Sequence, residues 1–73
     1  MLNKPWHKRI QYERLKRGWP QEKAAEHLGV DARVLRDWEA GRHVPIGKHR
    51  QRLSQLYGQS IEKLGLVNPK PIK

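Results

Sequence analysis

Apolar and polar residues follow one another along this chain with the period of a helix, in five stretches separated by glycine or proline. Apolar side chains that recur at intervals of three and four residues predict helices over residues 6–17, 20–28, 32–40, 46–57 and 61–64. No stretch alternates apolar and polar residues with the period of a strand. The pattern therefore predicts an all-α fold, a compact domain of five short helices.

The residues that open these stretches are typical of helix N-termini. Pro5 and Pro20 suit a first helical turn, and Asn3 can cap the helix that follows Pro5. Asp31 and Ser60 are good N-caps for the third and fifth helices, because a short side-chain oxygen there can accept from free backbone N–H groups. These signals place the helix starts independently of the apolar pattern.

The connection between the second and third helices is short and contains Gly29, which suits the left-handed conformation that ends a helix. Val30 is an apolar residue within that turn, and we expect it to fill the corner between the two helices. Ala24 and Ala25 give the second helix a side that another helix can approach closely. Two helices joined in this way predict a helix-turn-helix arrangement.

The predicted third helix has two unlike faces. Its apolar back, which we expect to hold the helix against the domain, consists of Val34, Leu35 and Trp38. Its front, which we expect to face away from the domain, consists of Arg33, Arg36, Asp37 and Ala40. Such a helix can present polar side chains to a partner from a rigid support.

Two other helices have inner faces that mix apolar and polar residues. The inner face of the first helix begins with Trp6 and Ile10 but continues with Glu13 and Arg14. Glu13 and Arg14 therefore either lie at the edge of the core or find partners inside it. The predicted inner side of the fourth helix consists of Ile46, His49, Leu53, Leu56 and Tyr57.

The length of 73 residues allows one small domain with a modest core. Residues 1–67 are predicted to form this domain, with Leu66 and Val67 packing back onto it after the fifth helix. Residues 68–73 contain two prolines and no apolar pattern, so we expect a flexible tail or linker.

The charge balance favours a polyanionic partner. Sixteen Lys and Arg residues oppose seven acidic ones, which gives a formal net charge of +9 and a pI of about 10.5. Charge alone does not separate nucleic acid from other partners. The chain has no cysteine, which excludes disulfides and fits a reducing cytoplasm, and it has no apolar run of membrane-spanning length. We therefore expect a cytoplasmic protein without a membrane partner.

Nothing in the sequence predicts catalysis. Its four histidines show neither metal-ligand spacing nor a neighbouring carboxylate cluster. There is no pairing of a nucleophile with a base and no glycine-rich phosphate loop. We expect no enzyme activity, no cofactor and no metal site.

The stretch GWPQEKAAEHLGVDARVLRDWEAGRHVP, residues 18–45, resembles the helix-turn-helix DNA-binding domain of the lambda-repressor-like (Xre/Cro) type. The residues that match its pattern are Gly18, Trp19, Gln21, Glu22, Ala25, Leu28, Gly29, Val30, Asp31, Trp38, Glu39, Gly41 and Pro45. RQRLSQLYGQSIEKLGL, residues 50–66, fits the fourth and fifth helices of the family, so the resemblance covers about residues 10–67. The later part is similar to the N-terminal reading domain of larger bacterial regulators, which implies further domains after the chain.

The sequence departs from the family pattern at several positions. Pro20 replaces the usual Ser or Thr cap, and Ala24 replaces the commoner Leu. Val34 and Arg36 stand where small polar residues are frequent, and Asp37 stands where a basic or neutral residue is more usual. These departures leave the fold unchanged but affect the expected DNA sequence and affinity.

The resemblance implies sequence-specific binding of double-stranded DNA, with the third helix in the major groove. The planar guanidinium groups of Arg33 and Arg36 match the O6 and N7 acceptors of guanine, and Ala32 can touch a thymine methyl. The alternative for Arg33 is an ion pair with Asp37 one turn later. Asp37 either accepts from a cytosine amine or orients Arg33, and the second role is favoured.

Other residues are candidates for phosphate contacts or for support. The resemblance implies that Gln21, at the start of the second helix, contacts a phosphate, and it can also support the third helix. Four residues that follow the third helix together form a candidate phosphate anchor: Arg42, His43, Lys48 and Arg50. Relatives often pair the positions of Arg14 and Glu39 across two helices; otherwise these are two surface residues.

The leading hypothesis is therefore a transcriptional regulator, or the DNA-binding domain of one. A homodimer is an open possibility, with Leu64, Leu66 and Val67 as a candidate patch that can equally close the core. The alternative hypothesis is a protein-interaction module, antitoxin-like or a scaffold, that keeps the fold but not the DNA reading. Asp37 and Val34 motivate that alternative.

Overall fold

The computed structural model describes residues 5–66. These residues form five α-helices, and no strand occurs among them. The helices are α1 (Trp6–Lys16), α2 (Gln21–Leu28), α3 (Ala32–Glu39), α4 (Lys48–Tyr57) and α5 (Ile61–Leu64). The predicted all-α fold is confirmed. Asn3, Val67 and the predicted tail over residues 68–73 lie outside the described part of the chain.

The helix starts follow local chemistry. Asp31 Oδ1 accepts a hydrogen bond from the N–H of Arg33 at 2.8 Å, and Ser60 Oγ accepts from the N–H of Lys63 at 3.1 Å, as expected for N-caps. Pro5 and Pro20 occupy the cap positions of α1 and α2 without a side-chain capping bond. The second helix therefore begins at Gln21, one residue later than the apolar pattern predicted.

The fourth helix begins later than predicted, at Lys48 rather than at residue 46. Gly47 precedes it with φ of 57°, a value that L side chains rarely adopt and that interrupts a continuous helix. Ile46 consequently lies in the connection and is 65% exposed, so its predicted place in the core was wrong. The preceding residue, Pro45, is buried instead of Ile46.

A single apolar cluster joins all five helices. It consists of Ile10, Ala24, Ala25, Leu28, Leu35, Trp38, Leu53, Tyr57, Leu64 and Leu66. Helix α3 packs against α1 and α2, and α4 packs against α1, α2 and α5. Both alanines of α2 are almost fully buried, which lets neighbouring backbones approach closely. None of the helices within residues 5–66 is long and apolar enough to cross a bilayer.

The turn between α2 and α3 has the predicted form. Gly29 ends α2 in the left-handed conformation with φ of 73°, and the N–H of Val30 donates to the carbonyl of Ala25 at 3.0 Å. Val30 is partly buried and packs against the core cluster. The turn thereby fixes the direction of α3 relative to α2.

The back of α3 differs from the prediction at one residue. Leu35 and Trp38 are buried, but Val34 is 38% exposed, and Glu39 is buried at 4% exposure. Successive residues of a helix are separated by about 100° around its axis, so Val34 lies at the edge of a face centred near Leu35. The third buried position belongs to a carboxylate because Glu39 finds a partner inside the domain.

Candidate nucleic-acid interface

A buried ion pair holds the C-terminal end of α3 against α1. Arg14 Nε donates to Glu39 Oε2 at 2.7 Å, and Arg14 Nη2 donates to Glu39 Oε1 at 2.9 Å. The two side chains are 8% and 2% exposed. The hydrogen bonds to Glu39 raise the pKa of Arg14, so the guanidinium stays charged. Such a bidentate pair fixes the orientation as well as the distance between the helices.

The same pair extends to the start of α2. Arg14 Nη1 donates to the carbonyl of Trp19 at 2.8 Å, and Gln21 Nε2 donates to Glu39 Oε1 at 3.1 Å. Arg14, Gln21 and Glu39 therefore form one network, here called the buried brace, that joins α1, α2 and α3. Glu13 also has an internal partner, because its Oε1 accepts from Arg17 Nη1 at 2.8 Å. Both charged residues of the inner face of α1 are thus paired.

The front of α3 presents two arginines to solvent. The Arg33 side chain is 80% exposed, and its Nε lies 3.7 Å from Asp31 Oδ1, a loose ion pair. Arg36 is also exposed. The hydrogen bond from the N–H of Arg33 is the main cause that lowers the pKa of Asp31, so this cap is ionised at neutral pH. The front of the helix is open and basic, as the sequence pattern predicted.

Asp37 does not orient Arg33, and that prediction was wrong. Its Oδ1 accepts from Arg42 Nη1 at 3.0 Å, and its Oδ2 lies 3.6 Å from His43 Nδ1. The connection after α3 turns back on the helix, where the N–H of Arg42 donates to the carbonyl of Asp37 at 2.9 Å. This turn brings Arg42 to Asp37, while Arg33 lies near its own N-cap.

The two alanines predicted to face a partner have different surroundings. Ala32 is partly buried and packs against the core, so only part of its surface faces outward. It lines a groove together with Pro20, Ala25 and Val30. Ala40, the C-cap of α3, is exposed. Part of the Ala32 surface is therefore open, and its contact with a thymine methyl stays a prediction.

The basic residues that follow α3 are exposed at its edge. The side chains of Arg42 and His43 are 65% and 73% exposed, and Lys48 is an exposed residue in the first turn of α4. Arg50, two residues further, donates from Nε to the carbonyl of Pro45 at 3.0 Å, which stabilises the connection. The chain thus carries cations from the front of α3 to the start of α4.

Two ring contacts from other helices support α3, and of these the sequence pattern indicated only the inward position of His49. The ring of His7 lies against Gly41, where an added Cβ would come within 3.0 Å of the imidazole. His49 packs its ring against Trp38 with centroids 5.3 Å apart. Trp19 packs against the core and stacks on His27 at 4.6 Å. His7 and Gly41 are distant along the chain, so periodicity within a helix cannot show that they meet.

No group of three or more His, Cys, Asp or Glu residues within the described part of the chain could hold a metal ion. The arrangement on α3 is instead suited to recognition: a helix held from behind by an apolar core and the buried brace, with a basic front. A protein α-helix of this kind fits the major groove of double-stranded DNA.

Comparisons with known proteins agree with this geometry. The sequence matches the family model described as helix-turn-helix over residues 10–64. The match covers more than half of the chain, so the protein belongs to the helix-turn-helix family. No curated protein is similar enough in sequence to match.

Among solved structures, the fold is similar to the solution structure of the DNA-binding domain of the P22 C2 repressor, residues 1–76. The TM-score is 0.79 at 24% sequence identity, and the superposition covers 90% of this chain and 87% of that one. At this identity the likeness establishes the fold.

Proposed function

From its membership of the helix-turn-helix family, we propose that the protein regulates transcription by binding specific sequences of double-stranded DNA, with α3 in the major groove. The observation that carries the proposal is the contrast between the two sides of α3. Leu35, Trp38 and Glu39 are held in the interior, while Arg33 and Arg36 are exposed on the opposite side. A regulator of this kind acts where the DNA is, so we place it in the cytoplasm.

The arginines of α3 read bases in this proposal. A guanidinium can donate two parallel hydrogen bonds to O6 and N7 of guanine, and each such contact is worth about 1–3 kcal/mol of discrimination against other bases. The ion pair between Arg33 and Asp31 is long and exposed, so Arg33 loses only a weak interaction when it moves to a base edge. Arg36 flanks it on the same exposed side.

Phosphates are held on both sides of α3. Pro20 leaves the first N–H groups of α2 without a side-chain cap, and the positive end of a helix dipole attracts phosphate. Gln21 holds this end of α2 in place through its bond to Glu39. Arg42, His43 and Lys48 provide the second anchor. These contacts set the register of the helix in the groove without reading bases.

Selection of bound duplexes from a random pool tests sequence-specific binding and provides the target for the next measurement. Arg33→Ala is expected to weaken binding to the selected duplex by about 5-fold to 150-fold, and to leave binding to scrambled duplex much less affected. Arg9→Ala is the matched control, since it also removes one positive charge but lies in α1, where Arg9 Nη1 donates to the carbonyl of Lys63 in α5. If no sequence is enriched, or if both variants lose affinity equally on both duplexes, specific reading by α3 is refuted.

Salt dependence tests the electrostatic part separately. If about six phosphates are neutralised, affinity should fall by about a thousandfold between 50 and 200 mM salt. An affinity that hardly changes over this range contradicts the phosphate contacts assigned to α2 and to the start of α4.

A protein-interaction module is the second candidate, and exposed apolar residues beside α3 support it. Val34 is 38% exposed, and Val44 and Ile46, in the connection to α4, are 48% and 65% exposed. Failure to bind any duplex at low salt, together with a stoichiometric protein complex that Ile46→Ser disrupts, would establish this candidate. A second copy of the chain is one such partner, and sedimentation equilibrium distinguishes a homodimer from a complex with another protein.

A further inference from the structure

Of the two carboxylates in α3, Glu39 is buried, whereas Asp37 lies toward the exposed front with 37% of its side chain exposed. An acidic group in this place opposes the binding of phosphate, although the protein as a whole carries a net charge of +9. In the proposed complex the Asp37 carboxylate lies close to DNA, because Asp37 shares this side of the helix with the arginines proposed to read bases.

Asp37 is paired with the cations that begin the second phosphate anchor. Arg42 Nη1 donates to Oδ1 at 3.0 Å, and His43 Nδ1 lies 3.6 Å from Oδ2, a contact that becomes an ion pair when the imidazole is protonated. The Arg42 side chain is 65% exposed, so solvent and other anions can reach it. Exposed ion pairs of this kind are weak and exchange readily with competing anions.

A DNA phosphate and Asp37 therefore compete for the same guanidinium. If Arg42 moves to a phosphate, the Asp37 carboxylate loses its hydrogen-bond donor, keeps only the longer contact with His43, and faces the groove. It then meets either acceptors, such as guanine O6 and N7 or thymine O4, or an amino donor, which cytosine presents at N4 and adenine at N6. The first outcome is repulsive, and the second replaces the hydrogen bond that was lost.

We propose that Asp37 is a specificity gate, which holds Arg42 in the free protein and releases it to phosphate where cytosine N4 or adenine N6 lies opposite Asp37. This inference rests on the proposed function and deepens it. On other sequences, Arg42 either stays paired with Asp37 and makes no phosphate contact, or moves to a phosphate and leaves the Asp37 carboxylate without a hydrogen-bond donor. Both outcomes weaken binding to non-target DNA. Discrimination thus comes from a penalty on wrong sequences as well as from attraction to the right one.

The first test measures the salt dependence of binding to random-sequence duplex. Asp37→Asn should free Arg42, tighten binding, and make the slope of log affinity against log salt steeper by about one, which is about fourfold more affinity lost between 50 and 200 mM salt. In the Asp37→Asn/Arg42→Gln double variant this gain in slope should disappear.

Glu62→Gln is the matched control for this measurement. It also removes one negative charge, but Glu62 is an exposed residue in the first turn of α5 and is not part of the proposed DNA-binding surface. It is expected to leave the slope unchanged. Equal changes in slope for Glu62→Gln and Asp37→Asn, or a gain that persists in the double variant, would show a bulk charge effect and overturn the gate.

The second test repeats the duplex selection with Asp37→Ala. At one base pair the wild type should require that cytosine or adenine, rather than guanine or thymine, stands on the strand that faces Asp37. The alanine variant should accept all four bases on that strand while keeping the rest of the motif. An unchanged motif overturns the gate but leaves the proposed function intact. Absence of any motif for the wild type refutes the proposed function itself, so the two failures are distinguishable.

Discussion

Helix α3 carries two carboxylates two positions apart, and each is paired with an arginine, yet the pairs differ in nearly every physical respect. Glu39 accepts two hydrogen bonds from Arg14 in the interior, with side chains only 2% and 8% exposed. Asp37 accepts one hydrogen bond of 3.0 Å from Arg42 in solvent, where the side chains are 37% and 65% exposed. Burial makes the first pair part of the fold, and exposure leaves the second free to exchange.

The largest expected effect comes from breaking the buried pair. Arg14→Ala leaves the Glu39 carboxylate in the interior without its main partner, and the free energy of unfolding should fall by about 3–5 kcal/mol. Chemical denaturation of the variant measures this loss. A loss below about 1 kcal/mol would mean that the buried pair stabilises the fold no more than the exposed pair does, and would contradict its structural role.

Alkaline pH tests the interior beside the brace. Burial raises the pKa of Tyr57 to about 12, and its hydroxyl has no hydrogen-bond partner among the described groups. Since the unfolded phenol ionises near pH 10 and the folded one does not, this residue's contribution is complete below pH 10 and is lost as pH rises toward 12. The loss should reach about 2 kcal/mol.

Tyr57→Phe is the control for that pH dependence. Its unfolding free energy should fall less steeply between pH 10 and 12, and the difference between the two curves isolates Tyr57 from the lysines that titrate in the same range. Parallel curves for the two proteins would show that the phenol is not shielded from solvent.

The Gln21→Ala variant measures how much Gln21 contributes to the stability of the buried brace. Gln21→Ala removes one hydrogen bond to Glu39, whose carboxylate remains paired with Arg14. The expected cost is about 1 kcal/mol of unfolding free energy, smaller than that of Arg14→Ala because no buried charge loses its main partner. A cost as large as that of Arg14→Ala would make Gln21 an equal member of the brace.

The smallest effect on stability is expected at the exposed pair. Arg42→Gln should change the free energy of unfolding by less than about 1 kcal/mol, because exposed ion pairs are weak. The same variant should measurably weaken DNA binding. A strong loss of stability would contradict the view that this pair can exchange with phosphate.

Local patterns predicted much of the fold. The spacing of apolar residues located five helices, and Asp31, Gly29 and Ser60 occupy the cap and turn positions expected of them. Predictions were wrong where the burial of a residue depends on how two neighbouring segments of the chain meet. Ile46 continues the apolar period of α4, but Gly47 ends that period and leaves Ile46 exposed.

The sequence predicted which charged residues of α3 are exposed, but not which of them form ion pairs with each other. Arg33 and Asp37 stand one turn apart, a spacing that favours an ion pair on an isolated helix. In the folded chain Arg42 returns from the following connection and takes Asp37 instead. Similarly, Val34 has the character of a core residue, but Glu39 is the side chain that enters the interior, where Arg14 compensates its charge.

The sequence by itself determined the helices, the turn between α2 and α3, and the basic front of α3, because these depend on periodicity and on interactions between residues close along the chain. The family resemblance indicated the pairing of Arg14 with Glu39, but only the tertiary structure decided that this pair is buried and that Arg42, which returns through a turn, is the partner of Asp37. The strength of each pair depends on its burial, and burial is a property of the packed domain rather than of any single segment.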